Sequence, residues 1–344
     1  MRDGGRSTES EQVGARAIRE WITGQREEYS RVFLVESGAP TEGIREVAGR
    51  DDVVLLPETS GRYEGPARAV RYRGALDEIG DELFLGETSV EVQDYVAAVF
   101  VQIVGPTAVC LLDAAGWYAF LTDAEIARDT GVFPSALIDP RVLLADRAAL
   151  MNPRERLTPS AIRVRSDGRV SVGMRGEVIG TFEELPTVLA APLPGVAAWG
   201  DMATREELAA DLETRESIGR YLFATDLMKM LRLSAVKISG FGWSPVDDRL
   251  ADAAPLTTDP FLLETADGFL LADTGTPRRR LLSPITATVV AVVQTSSTLE
   301  VAAARVARQL SVSPSDARGL CREAAATLNI HCGTRRRPHT TTAT

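Results

Sequence analysis

Apolar positions along this chain fall into short blocks whose spacing predicts most of its elements. From Gly14 to Tyr29, Ala15, Ile18, Trp21 and Ile22 return at helical intervals. Two compact apolar runs follow, Val32–Val35 and Val53–Leu56, with the length and branching of buried strands, and a short helix is expected between them over 41–48. After a loop punctuated by Gly61 and Pro66, residues 67–73 predict another strand. Over 88–104, Val92, Tyr95, Val96, Val99, Phe100 and Ile103 recur at helical spacing, which predicts a helix despite the β-branched content. Val109–Leu112 and Trp117–Leu121 read as strands around a turn at 114–116. Thr122 with Glu125 three residues on reads as a helix start. Ile162–Arg165 and Val170–Met174 predict a hairpin, extended by residues 177–182.

The Pro-, Gly- and Ala-rich stretch 186–200 reads as a linker. Residues 204–233 are helical in pattern, opening on a capping box of Thr204 and Glu207 and needing one break near Gly219. Gly240-Phe241-Gly242-Trp243 follows, read either as interdomain packing or as an exposed aromatic contact. Beyond it the signals sharpen. Phe261–Thr265 and Gly268–Asp273 flank a hairpin turn, and Arg278–Leu282 is a third strand. Ser283-Pro284, Thr298 and Ser313-Pro314 each open a helix with a capping hydroxyl. The apolar faces are Ile285, Val289, Val292 and Val293; then Leu299, Ala303, Val306 and Leu310; then Ala317, Leu320, Cys321, Ala324 and Leu328.

Composition adds limits. The chain has 344 residues, 44% hydrophobic and 25% charged, enough for about two domains with cores. No apolar run approaches the roughly 20 residues of a membrane span, and residues 1–7 lack a signal-peptide core. A cytoplasmic protein is expected. The net charge of −10 is uneven: residues 1–254 hold 41 acids and 28 basic residues, whereas 255–333 hold seven of each. An acidic first part argues against an extended nucleic-acid surface. Three cysteines without a C-x-x-C pair, Cys110, Cys321 and Cys332, indicate neither a disulfide framework nor a zinc knuckle.

The C-terminal order of hairpin, third strand running into Leu281-Leu282-Ser283-Pro284, then Ser297-Thr298-Leu299-Glu300, then Val312-Ser313-Pro314 before the last helix resembles the PqqD-like RiPP recognition element. One departure is Gln294-Thr295-Ser296-Ser297, where that family often has a Gly-rich turn. The resemblance covers about a fifth of the chain. The fold class expected is therefore α+β: a disordered start over 1–12, a mixed α/β domain over 13–185, and a linker with a helical connector over 186–254. A winged-helix-like module of a three-stranded antiparallel sheet and three helices follows over 255–332, with a disordered basic tail over 333–344.

The resemblance implies binding of the leader segment of a ribosomally made precursor peptide by strand addition. It places the groove between Arg278, Arg279, Arg280, Leu281 and Leu282 on one side and Ala317, Leu320, Cys321, Ala324 and Leu328 on the other. The three arginines either attract an acidic leader or simply keep an edge strand soluble. As a whole, the chain is similar to the recognition proteins of daptide-type peptide biosynthesis, which implies separate modifying enzymes as partners. A homodimer is compatible with the sequence.

Catalytic equipment is sparse. The only histidines, His331 and His339, lie near the C-terminus, so a triad or a histidine metal site is not expected. Neither G-x-x-x-x-G-K-[ST] nor G-x-G-x-x-G occurs, and no cofactor is expected. The turn Glu36-Ser37-Gly38-Ala39-Pro40 suits either a tight strand exit or an approach to phosphate. Two alternatives stay open: a winged-helix DNA-binding regulator using Arg318 and Arg322, and an enzyme with a carboxylate or cofactor site in residues 30–185.

Overall fold

The computed structural model describes residues 4–335 apart from 201, 216, 232–235, 248, 274, 275 and 277, with side chains from Glu9 onward. The chain forms two compact units, one of Met1–Leu121 with Pro134–Ile218, the other of Thr122–Phe133 with Gly219–Thr344. Both combine helices and sheet, so the fold is mixed α+β.

The first unit opens with α1 (Gly4–Thr23), β1 (Val32–Val35), α2 (Ile44–Val47), β2 (Val53–Pro57) and β3 (Arg68–Gly74). β4 (Glu82–Leu85), β5 (Thr88–Asp94), α3 (Tyr95–Ala98) and β6 (Thr107–Cys110) follow, and then α4 (Ala114–Thr130), of which the residues from Thr122 onward belong to the second unit, α5 (Ser135–Ile138), β7 (Val142–Leu144) and α6 (Arg147–Met151). The remainder is β8 (Arg156–Leu157), β9 (Ala161–Val164), β10 (Arg169–Val172), β11 (Val178–Thr181), α7 (Leu185–Ala190), β12 (Leu193–Pro194) and α8 (Arg205–Glu213). Ten strands join in the order β11-β10-β9-β1-β2-β3-β4-β5-β6-β7. β9, β1, β2 and β3 are parallel neighbours, as are β5, β6 and β7, while β4 and β10 run against them. Fully apolar runs such as Val32–Val35 suit this sheet, because helices cover both faces. Ala17, Ile18, Trp21 and Ile22 of α1 pack on Val32, Leu34, Val53 and Leu55. Ile44, Leu185 and Leu189 pack on Phe33, Val35, Val54 and Ile162 from the other face. Trp21 is fully buried and donates Nε1–H to the Ile162 carbonyl at 3.0 Å, which ties α1 to β9.

Helix α1 begins at Gly4, so the expected disorder of 1–12 does not hold for the described residues. A helix nucleated by its buried stripe propagates through polar residues at little cost. It stops at Thr23 instead of Tyr29, where Gly24 takes the left-handed conformation (φ 68°) of a helix C-terminus. The helix expected over 88–104 is a strand followed by one turn. Val90 and Val92 alternate with half-buried neighbours in β5, and Asp94 ends the strand by accepting from the Val96 and Ala97 amides. Trp117–Leu121 is helix, because Asp113 accepts from the Gly116 amide at 2.8 Å and Trp117, Phe120, Leu121, Ala124 and Ala127 bury one stripe. Thr122 therefore lies within α4. The stretch 186–200 is not a free linker: Val196, Ala197 and Trp199 are buried, and Trp199 packs on Trp117 with ring centroids 5.2 Å apart. Helix α8 ends at Glu213 and the next helix begins at Ile218, so the helical run breaks as expected, just before Gly219.

In the second unit, α9 (Ile218–Leu231) leads to β13 (Lys237–Ser239), β14 (Gly242–Trp243), β15 (Ala253–Ala254), β16 (Phe261–Thr265), β17 (Gly268–Ala272) and β18 (Arg279–Leu282). Helices α10 (Pro284–Gln294), α11 (Leu299–Leu310) and α12 (Pro314–Leu328) follow, and β19 (Thr334–Arg335) pairs with β15. The tail beyond Arg335 lies outside the described residues. The sheet has five strands, β14-β13-β16-β17-β18, not the expected three, because residues 237–243 add two strands beside β16. α10, α11 and α12 share a core with Leu262, Leu271 and Leu282. Phe241 is buried, so Gly240–Trp243 is a packing element: its ring sits 5.3 Å from that of Phe133 and 6.4 Å from that of Phe261.

Asp146 is fully enclosed, left-handed (φ 52°), and its carboxyl is raised well above the usual range by burial, against one hydrogen bond from the Met174 amide. The unfolded chain ionises first as pH rises, so this group favours folding at low pH and loses that contribution as pH climbs through its native pKa. Asp146→Asn keeps an acceptor and tolerates the left-handed backbone. It is expected to stabilise the fold at pH 7 by roughly 1–2 kcal/mol and to have little effect near pH 3, read by urea unfolding at both values. Cys110 and Cys321 are buried, and burial pushes the Cys321 thiol up to about 11 and that of Cys110 higher still. In the native protein an aromatic disulfide reagent at pH 8 should titrate Cys332 first. The other two thiols should follow only at the unfolding rate.

Candidate functional site

The site is the open edge of the five-stranded sheet. β18 pairs with β17 on one side, matching Phe269 with Leu282, Leu270 with Leu281, Leu271 with Arg280 and Ala272 with Arg279. It is the last strand of the sheet, so its other side is unpaired among the described residues. The Asp273 amide donates to the Arg278 carbonyl at 3.2 Å. Antiparallel pairs alternate between hydrogen-bonded and non-hydrogen-bonded. Arg280 and Leu282 therefore direct their backbone groups at β17, and the N–H and C=O of Arg279 and Leu281 point out of the sheet.

Side chains alternate too. Leu282 and Arg280 face the helices. Leu282 is buried in their core, and Arg280 reaches α12, donating Nη1–H to the Thr327 carbonyl at 2.6 Å. Arg279 and Leu281 face the other way. Leu281 is 70% exposed beside half-buried Leu270, and Ile285 in the first turn of α10 is 57% exposed. Arg278, Arg279 and Arg280 are all exposed, and among the described residues none is paired with a carboxylate. The edge is thus basic where it begins and apolar where it ends.

The expected opposite wall is more deeply placed than its spacing suggests. Ala317, Cys321 and Ala324 are buried in the helical core, where they hold α12 in position and present no surface. Leu320 and Leu328 are half-buried and remain at the surface of α12. All three anticipated caps form: Ser283 accepts from the Thr286 amide, Thr298 from that of Val301 and Ser313 from that of Asp316. The turn 294–297 needs no glycine. Ser297 donates its amide and hydroxyl to Asp252, and buried Arg305 donates to the Thr295 carbonyl and the Ser296 hydroxyl.

Two structural anchors escaped the sequence pattern, since both join residues distant in the chain. Buried Asp259 accepts from the His331 amide at 3.0 Å and contacts the His331 ring Nδ1 at 2.7 Å, fixing the exit of α12. Arg220 lies 4.1 Å from the Phe261 ring centroid and donates to the Leu256, Asp259 and Pro260 carbonyls.

In the first unit, the turn after β1 is closed by its own groups: Glu36 accepts from Arg163 Nε at 2.7 Å and from the Ser166 amide at 3.0 Å. A carboxylate at that turn opposes phosphate. A shallow depression of about 220 Å³ lies between residues 98–103 and 135–141, where Arg141 and Asp139 bind each other. Among the described residues no helix is long and apolar enough to cross a membrane, and no group of three or more His, Cys, Asp or Glu is placed to hold a metal ion. No family model, no curated protein and no solved structure matches this chain.

Proposed function

We propose that this chain is a non-catalytic peptide-recognition protein. Its C-terminal unit takes up the leader segment of a ribosomally made precursor as an added strand on β18 and presents it to separate modifying enzymes. The observation that carries the reading is the edge of β18, unpaired among the described residues, with the backbone groups of Arg279 and Leu281 turned outward. The run of three strands into three helices supports a winged-helix-like recognition element of the PqqD-like kind. A daptide-type role for the whole chain, acting in the cytoplasm without a cofactor, belongs to the same proposal.

Main-chain hydrogen bonds to an edge give affinity without demanding one sequence, and side-chain contacts then select among peptides. A DNA-binding role is less well served, because Arg318 and Arg322 on α12 are interleaved with Asp316 and Glu323. The test is titration of the full chain with fluorescently labelled leader peptides encoded beside its gene. Saturable binding to one of them is expected. No saturable binding to any, or tight sequence-selective retardation of duplex DNA instead, overturns the proposal.

A further inference from the structure

The two halves of the β18 edge differ in chemistry, and that difference gives the bound strand a direction. We infer that β18 takes its peptide antiparallel, apolar residues first and acidic residues after, with the apolar side chain opposite Leu281 and an acid opposite Arg279. The inference rests on the strand-addition reading above.

Arg278, Arg279 and Arg280 make the start of the edge basic, in a chain whose net charge is −10. Leu281 and Ile285 make its end apolar and are 70% and 57% exposed. β16, β17 and β18 are joined antiparallel throughout, and an antiparallel addition continues that pattern with the slightly stronger pairing. In such a strand the residues opposite Leu281 and Arg279 are two apart and share the face that carries Leu270. The residue between them turns to the other face, beside the Arg280–Thr327 contact. Read from its N-terminus, the peptide runs apolar, any residue, acid. The reverse order sets its acid against Leu281 and its apolar side chain against Arg279.

Two synthetic twelve-residue peptides of identical composition test this. One has a first half of leucine and valine alternating with threonine and a second half of glutamate alternating with threonine, and the other has the halves exchanged. The full chain is titrated with each by fluorescence anisotropy. The apolar-first peptide is expected to bind about tenfold more tightly, and Arg279→Glu should remove that preference while a lysine-for-glutamate version of the peptide restores it. Equal binding of the two orders overturns the direction and leaves strand addition standing. Saturable binding of neither overturns both. Displacement of the peptide by single-stranded DNA of equal charge at the same concentration shows a plain anion surface, and overturns the direction as well.

Discussion

Replacing Arg220 with methionine is expected to destabilise the second unit by about 1–3 kcal/mol, a fall of roughly 5–10 °C in its melting temperature. Methionine keeps the apolar stem, so little packing is lost. What disappears is a guanidinium, 5% exposed, that donates to three carbonyls, Leu256 at 2.7 Å, Asp259 at 2.9 Å and Pro260 at 3.4 Å, while lying over the Phe261 ring. Burial pulls its pKa down to about 10, which still leaves it charged at pH 7. Burying that charge is costly by itself, and replacing an entire buried polar network with apolar groups can be neutral. Here only the donor is removed: the Leu256 carbonyl keeps the Asp259 amide at 3.2 Å and the Pro260 carbonyl keeps Gln294 Nε2 at 2.8 Å, so the Asp259 carbonyl is the one that loses its donor, and an orphaned buried group costs on the order of 1–3 kcal/mol. Arg220→Lys should recover part of the loss, because one ammonium cannot reproduce a planar fork. Differential scanning calorimetry of the two variants decides the matter: a methionine variant that melts with the parent removes Arg220 from the framework.

Leu281→Pro is expected to weaken leader binding by roughly a hundredfold while leaving the melting temperature nearly unchanged. Leu281 turns its N–H away from β17, so proline removes a hydrogen bond only from the incoming strand. Its ring also occupies space next to the edge, which is how natural sheets block unwanted pairing. The same substitution one residue earlier, Arg280→Pro, removes a bond of the β17 ladder and should destabilise the unit. Leu281→Ala supplies the control for the side chain alone and should cost about tenfold or less. If the proline variant binds as well as the alanine variant, the peptide does not add to this edge, and another surface must carry recognition.

The caps and periodicities of the last third were legible because each is local. Ser283, Thr298 and Ser313 sit within three residues of the amides they bind, and Phe261–Thr265 with Gly268–Ala272 is a hairpin closed by its own turn. The first apolar runs were equally clear, since a strand covered on both faces reads the same whichever neighbours it has. Local spacing misled where two periods overlap. Val92, Val96 and Val99 fit a helix on paper, yet Val90 and Val92 lie in β5, where parallel pairing with β6 and capping by Asp94 prevail. Trp117 and Phe120 fit a strand until Asp113 starts a helix ahead of them.

By itself, then, the sequence determined the element order of the C-terminal third, its helix starts, the buried strands at the head of the chain, and the basic-to-apolar gradient from Arg278 to Leu282. Tertiary structure alone decided that ten strands share one sheet, that residues 237–243 extend the other, and that Ala317, Cys321 and Ala324 face a core and not a groove. It also joined Asp259 to His331 and Arg220 to Phe261. The physical reason is sequence distance: capping and periodicity act within a few residues, whereas sheet order, burial depth and long-range polar contacts depend on which segments meet.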